Sequence, residues 1–165
     1  MGTPVYSQIL IANTRTDGQN PNVLHAAHTA QGFVPRLAVY DKGVLPPFCR
    51  WNIGWATPGA QYTLEMEDEH GYVYTLGVPK TALAGTPVML QGSSATDFCN
   101  SWAFPFPTRL LSGLGSGNHE YSGKLGTLSL DARNYPTPVL EGFDSKVNQT
   151  WEFGYSMDTL KTLPY

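Results

Sequence analysis

The sequence predicts an all-β protein, a β-sandwich or a closed β-barrel of about eight to ten short strands with at most one or two short helices. Three observations carry this prediction. Charged residues make up only 14% of the 165-residue chain, aromatic residues make up 12%, and there are 17 glycines and 13 prolines. Long amphipathic helices need a charged outer face that this composition cannot supply. Short apolar runs between Gly and Pro residues are instead typical of strands and turns.

The length suits one domain, and we expect residues 1–165 to form a single β domain. A chain of this size can bury about two-thirds of the surface that it exposes when unfolded, so its core can be substantial. No shift in composition marks a domain boundary. A three-fold trefoil would need self-similarity at a period of about 40–55 residues. We find no such period by inspection and therefore predict no internal repeat.

The first half of the chain contains three predicted elements in order. Residues 5–12 are apolar and β-branched, which predicts a buried strand. Residues 23–30 are the best helical candidate, and Gly32 is placed to end that helix. Residues 33–40 favour a strand, which Pro35 restricts to an edge or a bulge because proline cannot donate to a strand ladder.

A hairpin at residues 61–78 gives the clearest pattern in the sequence. Tyr62, Leu64 and Met66 alternate with polar residues, so they share one face of a half-buried strand. Residues 68–71 form the predicted turn, and residues 72–78 return as the second strand.

The remaining segments are shorter and separated by Gly, Pro and Asn. Strands are predicted for residues 87–91, 98–104, 121–130 and 147–155, with a loop at 113–118 and a short helical turn at 157–163.

Charge and hydropathy exclude several classes of partner. The net charge is −3, and the ten Lys and Arg residues are scattered singly, so we expect no nucleic-acid partner. We expect no transmembrane segment, because no apolar run approaches the length that one requires. The first residues lack the basic and apolar blocks of a signal peptide. The protein is therefore expected to be soluble, and either cytoplasmic or a mature secreted form.

Two cysteines leave the redox state open. Cys49 and Cys99 could form a disulfide, or they could be two buried free thiols, and the sequence does not discriminate between the two.

No motif points to catalysis, a metal or a cofactor. The chain has no G-x-S-x-G elbow, no P-loop and no G-x-G-x-x-G after a strand. His25 and His28 would share one face of a helix and could ligate a metal, with His70 and His119 available in principle as further ligands. Two histidines that fall close together in a polar segment are the simpler explanation, so we predict no metal and no cofactor. We therefore favour a non-enzymatic protein, while a small barrel hydrolase or isomerase remains an alternative.

Aromatic and polar residues suggest a ligand site instead. Tryptophan rings can stack on the apolar face of a sugar, and loop amides, imidazoles and carboxylates can bind its hydroxyl groups. The alternative is that these tryptophans belong to the core. The stacking candidates are Trp51, Trp55 and Trp102, and the hydrogen-bonding candidates are Asp17, Asn118, His119 and Glu120.

These observations favour a lectin-like module that binds a carbohydrate or another small neutral ligand. A structural or toxin-like β protein that oligomerises with copies of itself is the second hypothesis. The small barrel enzyme is the third.

Overall fold

The computed structural model describes residues 6–13, 20–41, 43–57, 61–92, 96–103, 110–112, 128–144 and 147–160. Within these ranges the fold is all-β, as predicted, with two short 3-10 turns and no α-helix. The strands are β1 (Tyr6–Asn13), β2 (Asn22–Thr29), β3 (Gly32–Val39), β4 (Arg50–Thr57), β5 (Gln61–Glu67), β6 (Val73–Pro79), β7 (Met89–Gly92), β8 (Phe98–Cys99), β9 (Trp102–Ala103), β10 (Leu111–Ser112), β11 (Leu128–Asp131), β12 (Val139–Gly142) and β13 (Trp151–Gly154). They form one curled antiparallel sheet.

The strand pairings divide the sheet into three similar units. In each unit the first strand pairs with the second and the second with the third: β1–β2–β3, β5–β6–β7 and β10–β11–β12. The last strand of each unit pairs with the first strand of the next, as β4–β5, β9–β10 and β13–β1. The first strand also pairs with the last in the first two units, as β1–β4 and β5–β9. These pairings resemble those of a β-trefoil, except that the β10–β13 pairing, which would close the barrel, does not occur among the described residues.

Three buried tryptophans mark equivalent positions in the units. Trp51, Trp102 and Trp151 follow one another at intervals of about 50 residues. They lie on β4, β9 and β13, the last strands of the three units. Each indole Nε1 donates to a leucine carbonyl on the second strand of the same unit. The acceptors are Leu24 at 3.0 Å, Leu76 at 2.9 Å and Leu130 at 3.1 Å.

Backbone hydrogen bonds also occupy equivalent positions in the first and third units. Ala26 N donates to Phe48 O at 3.0 Å, and Ala132 N donates to Asn148 O at 2.9 Å. Each acceptor lies three residues before the buried tryptophan of its unit. The expectation of no internal repeat was therefore wrong. The repeat is carried by three tryptophans and their backbone partners, which are too few residues for inspection of the sequence to find.

The main core lies between the units and includes all three buried tryptophans. A smaller second cluster contains Leu10, Ala12, Val23 and Cys49. Strand β1 is thus buried on both faces, since Ile9 and Ile11 contact the main core while Leu10 and Ala12 contact the second cluster. This explains its continuous apolar sequence.

The predicted helix at residues 23–30 is wrong, because this segment forms β2. Its eight residues pair with β3 from Asn22↔Val39 to Thr29↔Gly32. Leu24 and Ala26 face the main core, so the segment does alternate, but its alanines and histidines make the alternation hard to see. Tertiary pairing overrides the modest helix propensity of such residues.

Most other expectations agree with the structure. The hairpin is confirmed as β5 and β6, with Leu64 and Met66 buried. Strand β3, which contains Pro35, ends the path of paired strands. The segments at 98–104 and 147–155 are shorter strands than predicted, and a 3-10 turn at Val147–Gln149 replaces the start of the latter. The predicted loop at 113–118 lies outside the described residues.

Cys49 and Cys99 are both buried free thiols. The described residues include no helix that is long and apolar enough to cross a membrane.

Candidate functional site

Two of the three predicted stacking residues belong to the core. Trp51 and Trp102 have no solvent-exposed surface, and their only polar atoms are bonded to backbone carbonyls. Neither ring therefore presents a face to solvent in this structure.

Trp55 differs from the other two because 60% of it is exposed. It lies near the end of β4, beyond the part of the strand that the core covers. Its ring stacks on Tyr62 of β5 with centroids 4.8 Å apart and planes at 26°. The two residues are direct cross-strand partners, a position in which aromatic side chains contact each other well.

The pair stands at the outer end of a row of aromatic residues. Tyr62 pairs with Trp55 on one side and with Trp102 of β9 on the other. Tyr62 also packs against the main core. The row therefore leads from solvent at Trp55 to the core at Trp102. We call Trp55 and Tyr62 the aromatic platform.

The predicted hydrogen-bonding residues cannot be placed beside this platform. Asp17, Asn118, His119 and Glu120 all lie outside the described residues.

His25 and His28 lie on opposite faces of a strand. Both lie on β2, where residues three apart point to opposite faces, so the helical geometry that motivated the hypothesis is absent. His25 is half-buried, and this burial lowers its pKa. His28 is exposed and stacks on Phe33 at 4.7 Å. No group of three or more metal-ligating side chains occurs among residues that the structure describes.

A second feature is a cleft between β1, the segment before β4, and β5, with a volume of about 370 Å³. Its polar lining comes from Gln8, Arg50 and Glu67. Its apolar lining comes from Leu45, Pro46 and Phe48, and Cys49 also contributes. We call this the β1–β5 cleft.

The cleft contains unusual backbone. Gln8, with φ 57°, and Phe48, with φ 52°, are the two non-glycine residues in the described ranges that adopt positive φ. Such conformations are rare for residues with a side chain, and they cluster at functional sites.

Side chains hold the strained residue on β1 in place. Gln8 N donates to Asn52 Oδ1 at 2.9 Å, and Gln8 O accepts from Arg50 Nη1 at 3.1 Å. The pairing of β1 with β4 shifts register here, between Tyr6 and Ile9. The strain is therefore stabilised by specific contacts from β4.

Burial disfavours the thiolate form of Cys49. Burial raises the pKa of its thiol, and the nearby positive charge of Arg50 opposes this only in part. A nucleophilic cysteine needs a lowered pKa, which favours the thiolate.

Sequence reasoning missed most residues of both features. Tyr62 was assigned to the core face of its strand, where it does lie, but its partner Trp55 extends that face into solvent. The strained conformations of Gln8 and Phe48 have no signal in the sequence, since neither position is occupied by Gly or Asn.

Comparisons with known proteins add a fold relationship only. No family model matches the chain, and no curated protein matches it. Among solved structures, one described as the PSL1a-E64 complex is similar, with a TM-score of 0.57 and 17% sequence identity. The match covers 89% of this chain and 48% of that one, so this chain spans about half the length of its structural relative. At this identity, the likeness is one of fold.

Proposed function

We propose that this protein is a non-enzymatic ligand-binding module that holds a carbohydrate against the aromatic platform of Trp55 and Tyr62. The observation that carries the proposal is the contrast in burial among the tryptophans. Trp51, Trp102 and Trp151 have no exposed surface, whereas 60% of Trp55 is exposed.

An exposed tryptophan ring fits the chemistry of a sugar. One face of a pyranose ring carries C–H groups, and these pack on an indole while the hydroxyl groups stay free for hydrogen bonds. Tyr62 holds the Trp55 ring from behind through the stacking contact. Less side-chain freedom is then lost on binding, which favours affinity.

The composition and the fold relationship are compatible with this proposal. Only 14% of the residues are charged, which suits a neutral ligand better than an ionic one. The structural relative is itself described as a complex. The hydrogen-bonding candidates Asp17, Asn118, His119 and Glu120 remain part of the proposal.

The test is titration calorimetry with methyl glycosides of galactose, glucose, mannose and N-acetylglucosamine. One of these should bind, and Trp55→Ala should weaken its binding at least about tenfold, or about 1.4 kcal/mol, which is within the range for a nucleobase stacked on an aromatic side chain. Trp55→Phe should bind with intermediate affinity because it retains a smaller ring.

Tyr155→Ala is the matched control. Tyr155 is also 60% exposed, and the substitution keeps the backbone carbonyl that accepts from Arg50. It should bind the glycoside as the unmodified protein does. If no glycoside binds while Trp55→Ala dissociates an oligomer, the platform is instead a contact between copies of this chain, and the carbohydrate proposal fails.

A further inference from the structure

Arg50 is held in the β1–β5 cleft with donors to spare. Its Nη1 donates to Gln8 O at 3.1 Å and to Tyr155 O at 3.0 Å. These two carbonyl contacts fix the plane of the guanidinium. Among the described residues, no hydrogen bond involves its Nη2 or Nε. A guanidinium fixed at one nitrogen can offer its other N–H groups to a carboxylate.

Glu67 lines the same cleft as Arg50. On β4 and β5, Asn52 pairs with Glu65, so Arg50 and Glu67 stand one step further along the same face. Both side chains line the cleft. Among ion pairs of the described residues, none joins the two. One positive and one negative residue therefore line the same cleft, and no ion pair among the described residues joins them.

The rest of the cleft is apolar. Leu45 and Pro46 line it, and the ring of Phe48 is fixed by an edge contact to Phe33 with centroids 5.0 Å apart. The volume of about 370 Å³ lies at the lower end of the range for small-molecule sites.

We infer that the β1–β5 cleft is a second binding site, distinct from the aromatic platform, for a small zwitterion with an apolar side chain, namely an α-amino acid. Arg50 binds the carboxylate and Glu67 binds the ammonium group. Leu45, Pro46 and Phe48 contact the side chain. The positive-φ conformations of Gln8 and Phe48 shape the two walls between which the ligand lies.

Titration calorimetry of the full chain with L-leucine tests this inference. Leucine should bind, whereas leucinamide, which lacks the carboxylate, and 4-methylpentanoate, which lacks the ammonium group, should each bind at least about tenfold more weakly. Equal binding of all three compounds, or no binding of leucine, would overturn the inference.

Glu67→Gln is the decisive variant because Glu67 is exposed and its loss leaves the core intact. It should reduce leucine binding to the level of 4-methylpentanoate and leave 4-methylpentanoate binding unchanged. A Glu67→Gln protein that binds leucine normally contradicts the assignment.

The Trp55→Ala variant tests which of the two sites holds the ligand. Trp55→Ala should bind leucine as the unmodified protein does. If this variant loses leucine binding, the ligand lies on the aromatic platform and the cleft is not its site. Failure of the carbohydrate proposal would leave all of these results unchanged.

Discussion

Trp51 and Trp55 lie on the same face of the same strand, β4, yet they have opposite surroundings. Trp51 is completely buried and hydrogen-bonded to Leu24, whereas 60% of Trp55 is exposed and its described ring contact is with Tyr62. The strand simply extends further than the core does. The difference shows that alternation along a strand assigns a face, while position along the strand decides whether that face meets core or solvent.

The largest effect is expected where a buried tryptophan is removed. Trp51→Ala should destabilise the protein by about 3–5 kcal/mol, since it opens a cavity and leaves the Leu24 carbonyl without its donor. Trp55→Ala should cost less than about 1 kcal/mol, the scale of one exposed aromatic pair. Urea denaturation measures both changes. Equal losses in the two variants would mean that Trp55 is a core residue.

A smaller effect is expected at Gly77 of β6, which lies close to the backbone of residues 98–100. A Cβ added to Gly77 of β6 would contact the backbone oxygen of Cys99 and lie 2.7 Å from Phe98 Cζ and 2.9 Å from Asn100 Cα. Gly77→Ala should therefore destabilise the protein by about 1–3 kcal/mol. Gly92 has open space at the same position and serves as the control. Thermal unfolding of the two variants should differ, and a tolerated Gly77→Ala would contradict the packing of β8 on β6.

The smallest effect concerns the outer face of the sheet. Burial raises the pKa of Glu65, and the hydrogen bond from Thr63 at 3.2 Å opposes this in part. The folded state thus binds this proton more tightly than the unfolded chain. Protonated Glu65 therefore adds to the free energy of unfolding at pH values below the ordinary glutamate pKa. This contribution is lost as the pH rises through the raised pKa of the folded state.

In the unmodified protein, the free energy of unfolding should decrease as the pH rises above the ordinary glutamate pKa. Glu65→Gln should make this decrease smaller, as measured by urea denaturation at several pH values. Thr63→Val, which removes the opposing hydrogen bond, should steepen it. The same slope in all three proteins would show that Glu65 titrates normally.

The sequence was sufficient for the fold class and for the β5–β6 hairpin, because Leu64 and Met66 follow a strict two-residue period and are buried by it. It was not sufficient for β2, where alanine and histidine fit a helix and a strand equally well until β3 is present to pair with them. The three-unit arrangement was also missed. It rests on Trp51, Trp102, Trp151 and their carbonyl partners, and backbone acceptors leave no trace in a sequence.

The composition drew attention to tryptophan as a stacking residue, and that role stays a prediction. Which tryptophan is exposed could not be predicted, because exposure depends on how far each strand extends beyond the core. Only Trp55 of the three stacking candidates lies beyond that limit.

Acrylamide quenching of tryptophan fluorescence, with and without the glycoside that binds best, tests the central claim most directly. Without ligand, only Trp55 should be quenched, since the other three tryptophans have no exposed surface. The claim predicts that saturating glycoside protects this fraction and that Trp55→Phe removes it altogether. A bound glycoside that leaves the quenching of Trp55 unchanged, or the absence of any bound glycoside, would contradict the aromatic platform as a carbohydrate site.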